Sequence, residues 1–175
     1  MSVLLYHNGV ISADSRCIIS QNTDFERNAG MLKLFGHNDY MVMGMIGDNV
    51  SIKYASQEYV YFSAAIKDME SNREMVAKLP RDILKVYTRE EDGRNLCFMT
   101  KRHLYIITKE GLERIITDTP FAMGTGARIA LMSLTNGCTV EESVRNAIQM
   151  NPYCGGTVVT YSTKDLSLIR LRKKK

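Results

Sequence analysis

Apolar residues change their spacing several times along this chain, and each change marks an element. Val3 to Tyr6 and Val10 to Cys17 are short apolar runs on either side of Asn8-Gly9. Asn-Gly tolerates positive φ at both central positions, so the pattern predicts a tight hairpin with a type I′ turn. A second strand pair is expected from Met31 to Phe35 and Tyr40 to Ile46, turning through Gly36-His-Asn-Asp39. The run Met41-Val-Met-Gly-Met-Ile-Gly47 is apolar throughout, as in a strand covered on both faces.

The spacing then lengthens to three and four residues: Ile52, Ala55, Tyr59, Phe62, Ile66 and Met69 line one face of a long helix that Asp48 is placed to cap. A shorter helical stretch is expected from Asn72 to Lys78, before the break at Pro80. Ile83 to Tyr87, Leu96 to Thr100, Leu104 to Thr108 and Leu112 to Ile116 read as short antiparallel strands between charged turns. Pro120-Phe-Ala-Met123 leads through Gly124-Thr-Gly126 into a helix with Ala127, Ala130, Leu131 and Leu134 inward, ended by Gly137. Thr139-Val-Glu-Glu142 forms a capping box for another helix, with Val140, Val144, Ala147 and Ile148 inward. Thr157 to Tyr161 and Leu166 to Leu171 close the chain as strands. This order lacks regular βαβ alternation. It indicates an α+β fold, with antiparallel sheets and helices segregated to outer layers.

A length of 175 residues with 45% hydrophobic and 24% charged residues fits one globular domain, 1–169, followed by a basic tail, 170–175. The tail holds five of the 23 basic residues, which leaves 18 against 19 acidic ones. A near-neutral body argues against nucleic acid as a partner. Cys17, Cys97, Cys138 and Cys154 show no paired or metal-ligand spacing, and His7, His37 and His103 lie far apart, so neither a metal nor an organic cofactor is expected. No run reaches transmembrane length and no secretion signal is expected, which points away from membranes and toward reduced thiols in a cytoplasm.

Several short strings, taken in order, carry a resemblance. They are Gly9-Val-Ile-Ser-Ala-Asp-Ser-Arg16, Lys33-Leu-Phe35, Gly44-Met-Ile-Gly-Asp48, Phe121-Ala-Met-Gly-Thr-Gly126, Thr139-Val-Glu-Glu142 and Cys154-Gly-Gly156. Together they resemble the β subunits of the proteasome and the related bacterial proteasome-like peptidase of the heat-shock-locus V type. The match spans nearly the whole chain and is weakest from Asn72 to Asp118. The resemblance implies a four-layer αββα sandwich of two antiparallel sheets, the N-terminal nucleophile hydrolase fold. It also implies ring assembly from copies of one chain and a nucleophile at the first residue of the mature protein.

The chemistry accounts for that position. A hydroxyl is a poor nucleophile until a base takes its proton, and a free α-amine titrates near pH 8, close enough to serve. The family usually opens its hairpin with threonine; here the chain begins Met1-Ser2, and removal of Met1 would leave Ser2 first. Shortening both hairpin arms by about two residues keeps register and facing, because two is the strand period. Ser2 and Asp14 are therefore expected to neighbour each other across the ladder. By resemblance Lys33 is the lysine that lowers the hydroxyl pKa, paired with Asp14. Gly44 supplies the oxyanion N–H and begins the substrate-binding strand. Thr125 stands where the family has a serine beside the nucleophile, a position that also suits a helix N-cap.

Two positions depart from the family pattern. Asn151 replaces an aspartate that supports the nucleophile; its amide accepts hydrogen bonds but carries no charge. Cys154 replaces a serine and reads as a buried structural thiol. The sequence therefore indicates a serine- or threonine-type N-terminal-nucleophile peptidase, a hydrolase acting on peptides or unfolded polypeptide in a ring chamber. Related peptidases suggest an ATP-driven unfoldase as a further partner. The alternative is a catalytically silent ring subunit kept for assembly or docking. Hydrolysis of a small-molecule amide by the same nucleophile is a third reading.

Overall fold

The computed structural model describes residues 2–20, 26–30, 34–38, 40–46, 49–87, 95–115 and 118–164. The chain divides into two compact units, Met1–Phe35 with Asp118–Ser162, and Gly36–Thr117 with Thr163–Lys175.

The first unit is built on β1 (Leu4–His7), β2 (Val10–Asp14), β11 (Phe121–Met123) and β12 (Val158–Ser162), hydrogen-bonded in the order β11-β1-β2-β12. All three pairings are antiparallel. The turn between β1 and β2 has φ of 47° at Asn8 and 75° at Gly9, as the Asn-Gly pair predicts. Helices α3 (Ala127–Thr135) and α4 (Val140–Met150) cover one face of this sheet. Val3 and Leu5 from the β1 arm meet Ala130, Val140, Val144, Ala147 and Cys154 in a buried cluster. The expected capping box is present: the Glu142 N–H donates to Thr139 Oγ1 at 3.2 Å, and the Thr139 N–H donates to Glu142 Oε2 at 2.8 Å. Gly137 stops α3 with a φ of 92°.

The expected strand Val10–Cys17 breaks at Ser15. Its remainder is β3 (Arg16–Ser20), which pairs with β4 (Glu26–Gly30) in a separate two-stranded sheet. Here the Ser15 hydroxyl accepts from the Thr157 N–H at 2.8 Å, and the Arg16 N–H donates to the Gly155 carbonyl at 2.9 Å. At the break the Arg16 N–H is satisfied by the Gly155 carbonyl and the Ser15 side chain satisfies the Thr157 N–H, so the change of sheet leaves neither donor unpaired.

The second unit carries a sheet in the order β5-β6-β8-β9-β10-β7, formed by β5 (Leu34–Asn38), β6 (Met41–Ile46), β7 (Val76–Ala77), β8 (Asn95–Thr100), β9 (Leu104–Ile107) and β10 (Leu112–Ile115). All six residues of β6 are buried, as its unbroken apolar run requires. The helix α1 (Asn49–Asn72) buries Tyr59, Phe62, Ile66 and Met69, the face picked out by their spacing. The Phe62 ring sits 4.9 Å from that of Phe98 and 5.9 Å, edge-on, from that of Tyr87.

Three elements differ from expectation here, the first being β5, which takes in Gly36, His37 and Asn38 where a turn is expected. The helix expected from Asn72 to Lys78 is absent, α1 ending at Asn72: Arg73 takes a φ of 57°, the Glu74 N–H closes α1 on the Met69 carbonyl, and Val76–Ala77 pairs with β10. Arg81–Tyr87 is a helix, α2, rather than a strand. Pro80 explains it: proline supplies a preset φ at a helix start, and the Leu84 N–H donates to the Pro80 carbonyl at 3.0 Å. That local start outweighs the strand preference of Ile83, Val86 and Tyr87. The Asp48 cap, the strand from Leu166 to Leu171 and the basic tail lie outside the described residues. Among the described residues no helix is long and apolar enough to cross a membrane.

One polar cluster fastens α1 to its sheet. Glu70 Oε2 accepts from the Tyr40 hydroxyl at 2.6 Å, and Oε1 accepts from Thr100 at 2.8 Å and Tyr105 at 3.3 Å. Burial alone would raise the Glu70 carboxyl, but the three hydroxyls and the nearby His103 hold it below the usual carboxylate range. A carboxylate lowered on folding adds stability above its unfolded value and loses it as pH falls through the folded one. Glu70→Gln should therefore reduce the unfolding free energy by about 1–3 kcal/mol at pH 7 in urea melts. The gap from wild type should narrow below the ordinary value of 4.5; a gap constant down to pH 3 would contradict this assignment.

Candidate active site

The hairpin turn decides what stands beside the N-terminus. Its ladder pairs Leu4 with Ala13, and Leu5 with Ser12. One step further, Asp14 comes opposite Val3, the residue next to Ser2. The Asp14 N–H donates to the Val3 carbonyl at 3.1 Å, and the Val3 N–H donates to Asp14 Oδ1 at 2.9 Å. Asp14 thus holds the peptide that follows Ser2. Its carboxylate is 1% exposed, and Oδ2 accepts from the Gly155 N–H at 3.0 Å. Two backbone donors therefore meet a buried charge, the condition under which burial is tolerated.

Ser2 is itself buried, 2% exposed, and is held from the opposite side. β11 pairs with β1 through Leu4 and Met123, and the contact continues past the strands. The Gly126 N–H donates to the Ser2 carbonyl at 3.1 Å, while the Ser2 N–H donates to Thr125 Oγ1 at 3.3 Å. The cap position of α3 is Gly126, with no side-chain cap, so the Thr125 hydroxyl serves Ser2 instead of the helix. Gly126 is required by close packing, since a Cβ there would lie 2.7 Å from Cys154 Sγ and 2.8 Å from Val3 Cβ.

Asn151 and Cys154 belong to the loop that follows α4. The Asn151 side chain uses both of its functions: Nδ2 donates to the Thr125 carbonyl at 2.9 Å, and Oδ1 accepts from the Tyr153 N–H at 2.9 Å. The two partners fix the amide's orientation, because only one assignment sets a donor against a carbonyl and an acceptor against an N–H. In this arrangement the amide's acceptor serves the loop and its donor serves Thr125. Cys154 is buried against Val3 and Ala130 in the core of the unit.

Ser2, Asp14, Thr125, Asn151 and Cys154 are therefore drawn together in the first unit. Lys33 lies outside the described residues. Gly44 lies in β6 of the second unit, buried and paired with Cys97. Burial pushes the Cys97 thiol up to about 12, and a hydrogen bond with the Gly44 backbone offsets part of that, so this thiol is inert at neutral pH. The Gly155 N–H was not singled out in the sequence; a backbone donor has no residue signature, and only the Cys-Gly-Gly string marks its place. Among the described residues no group of three or more His, Cys, Asp or Glu side chains could hold a metal ion.

No protein-family model matches the chain, and no curated protein matches it by sequence. Its structure is similar to the crystal structure of eukaryotic HslV from Trypanosoma brucei, at a TM-score of 0.62 and 11% identity over 91% of this chain and 97% of that one. At that identity the likeness shows the fold. The chain has the proteasome-like peptidase fold, α+β with antiparallel sheets and helices, the class expected from its strings and periodicity.

The Asn151 geometry makes a prediction opposite to simple restoration of the family residue. Asn151→Asp places a carboxylate oxygen against the Thr125 carbonyl. It should cost about 1–3 kcal/mol of stability at pH 7. A protonated aspartic acid can donate again, so the deficit should shrink as pH falls toward about 4. Urea melts across that range check it; an Asp variant as stable as wild type at pH 7 would contradict the assigned contacts.

Proposed function

We propose that this chain is a proteasome-like N-terminal-nucleophile peptidase whose nucleophile is Ser2, exposed as the first residue by removal of Met1. The observation that carries the reading is the two-sided hold on Ser2. Asp14 fixes the peptide after it, and Thr125 Oγ1 takes its N–H. After processing, that nitrogen is an α-amine within hydrogen-bonding distance of the Thr125 hydroxyl.

The reaction then balances as follows. Ser2 Oγ bonds to the scissile carbonyl carbon and its proton passes to the α-amine, while the carbonyl electrons move onto oxygen. The oxyanion is met by a backbone N–H, assigned by resemblance to Gly44; Lys33 is assigned by resemblance to favour the alkoxide. Collapse breaks the C–N bond, and the departing amine takes the proton from the ammonium. Water repeats the sequence on the ester, releasing the acid and restoring Ser2. The same reading includes peptide or unfolded-polypeptide substrates, a ring of identical chains, a cytoplasmic setting and supply by an ATP-driven unfoldase. The HslV-like fold and the ordered strings support these.

The test is hydrolysis of a denatured polypeptide, scored by the appearance of new α-amines. Ser2→Ala, whose small second residue still permits Met1 removal, should lose at least about 100-fold in rate. Ser2→Thr should stay within about tenfold of wild type. Equal hydrolysis by wild type and Ser2→Ala would overturn the reading.

A further inference from the structure

One of the two backbone donors to the buried Asp14 carboxylate belongs to a peptide unit whose far end is held by a cation. The Cys154–Gly155 peptide points its N–H at Asp14 Oδ2, 3.0 Å away. In a trans peptide the carbonyl points the opposite way. That carbonyl, of Cys154, accepts from Arg16 Nη1 at 3.3 Å. Arg16 Nη1 also donates to the Pro152 carbonyl at 2.5 Å, and the Arg16 N–H donates to the Gly155 carbonyl at 2.9 Å. The peptide dipole therefore lies between a guanidinium at its negative end and a carboxylate at its positive end.

Gly155 makes this arrangement both necessary and fragile. A Cβ there would lie 2.9 Å from Arg16 Cδ, so the Arg16 stem can cross the loop only over glycine. Glycine also places few limits on φ, so the preceding peptide is free to rotate unless something holds it. A rotated unit would turn the Cys154 carbonyl toward Asp14, replacing an attractive contact with a repulsive one. The loop's own bonds, Cys154 N–H to the Asn151 carbonyl and Tyr153 N–H to Asn151 Oδ1, fix its earlier residues, and Arg16 and Asp14 bind the two ends of the Cys154–Gly155 unit.

We propose that Arg16 is a positioning residue for the nucleophile, acting on Asp14 through the Cys154–Gly155 peptide. The inference rests on the peptidase reading for its effect on Ser2 but not for the clamp itself. One nitrogen, Nη1, meets both carbonyls; the planar guanidinium fixes the directions of its two N–H bonds, whereas a lysine ammonium rotates as a point charge.

Two readouts on the processed chain test it: hydrogen exchange of the Gly155 amide, resolved by fragmentation mass spectrometry, and acylation of Ser2 by a proteasome-type electrophile. Arg16→Gln should speed Gly155 exchange and slow first-order acylation, each by at least about tenfold, the loss expected for one charge-assisted hydrogen bond. The electrophile concentration for half-maximal rate should stay within about twofold, because the initial binding step is not touched. Arg16→Lys should fall between wild type and Arg16→Gln on both readouts. Unchanged Gly155 exchange in Arg16→Gln would overturn the clamp, as would equal acceleration of amides throughout α3 and α4. Faster Gly155 exchange with unchanged acylation would overturn the positioning role. A wild type that never acylates would sink the peptidase reading and its positioning consequence, leaving the clamp to be decided by exchange alone.

Discussion

A carboxylate taken almost wholly out of water must have its charge answered by the protein, and the end of the β1–β2 hairpin is organised around that demand. Asp14 meets it with N–H groups from two places far apart in sequence, Val3 beside the N-terminus and Gly155 after α4. Desolvating a charge costs several kcal/mol unless such donors are in place. The carboxylate therefore ties the first residues of the chain to a loop about 140 positions later. The capping box at Thr139 sets where α4 begins, the length of α4 sets where Asn151 emerges, and Asn151 then reaches the Thr125 carbonyl. Each step places the next at hydrogen-bonding distance from Ser2 or its neighbours.

The consequence is a serine whose backbone is pinned on both sides. Thr125 and Gly126 hold one edge through β11, and Asp14 holds the other through β2. In the proposed peptidase Ser2 is a terminal residue, and terminal residues, the least ordered part of most domains, would otherwise fray. Hydrogen bonding on both edges gives Ser2 the fixed position that the proposed acyl transfer would require, where misplacement by an ångström costs much of the rate. The HslV-like fold supplies this scaffold; the particular donors are properties of this chain's residues.

What was legible beforehand follows from the range of each interaction. Asn8-Gly9, the three-and-four spacing of α1 and the Thr139 capping box are local, and local patterns can be read directly. The α2 helix was hidden because Ile83, Val86 and Tyr87 favour strands while one proline sets the helix start. The β3–β4 hairpin was hidden because Glu26-Arg-Asn-Ala-Gly30 has no apolar alternation. At the site, the residue types were visible but their pairing was not. Counting hairpin arms makes Asp14 a cross-ladder neighbour of Ser2 but does not show that its direct partner is Val3. The sequence shows that the Asn151 amide can accept hydrogen bonds without charge, but not that its donor reaches Thr125. An amide has two functions, and only coordinates choose between them. Backbone donors such as the Gly155 N–H carry no sequence signal at all.

The most direct test of the central claim is covalent. The purified chain is weighed intact, treated with a proteasome-type electrophile, weighed again and fragmented to locate the adduct. The account predicts a mass lower by one methionine and a single adduct on the new N-terminal Ser2. A chain that keeps Met1, or a processed chain whose Ser2 stays unmodified, would contradict it.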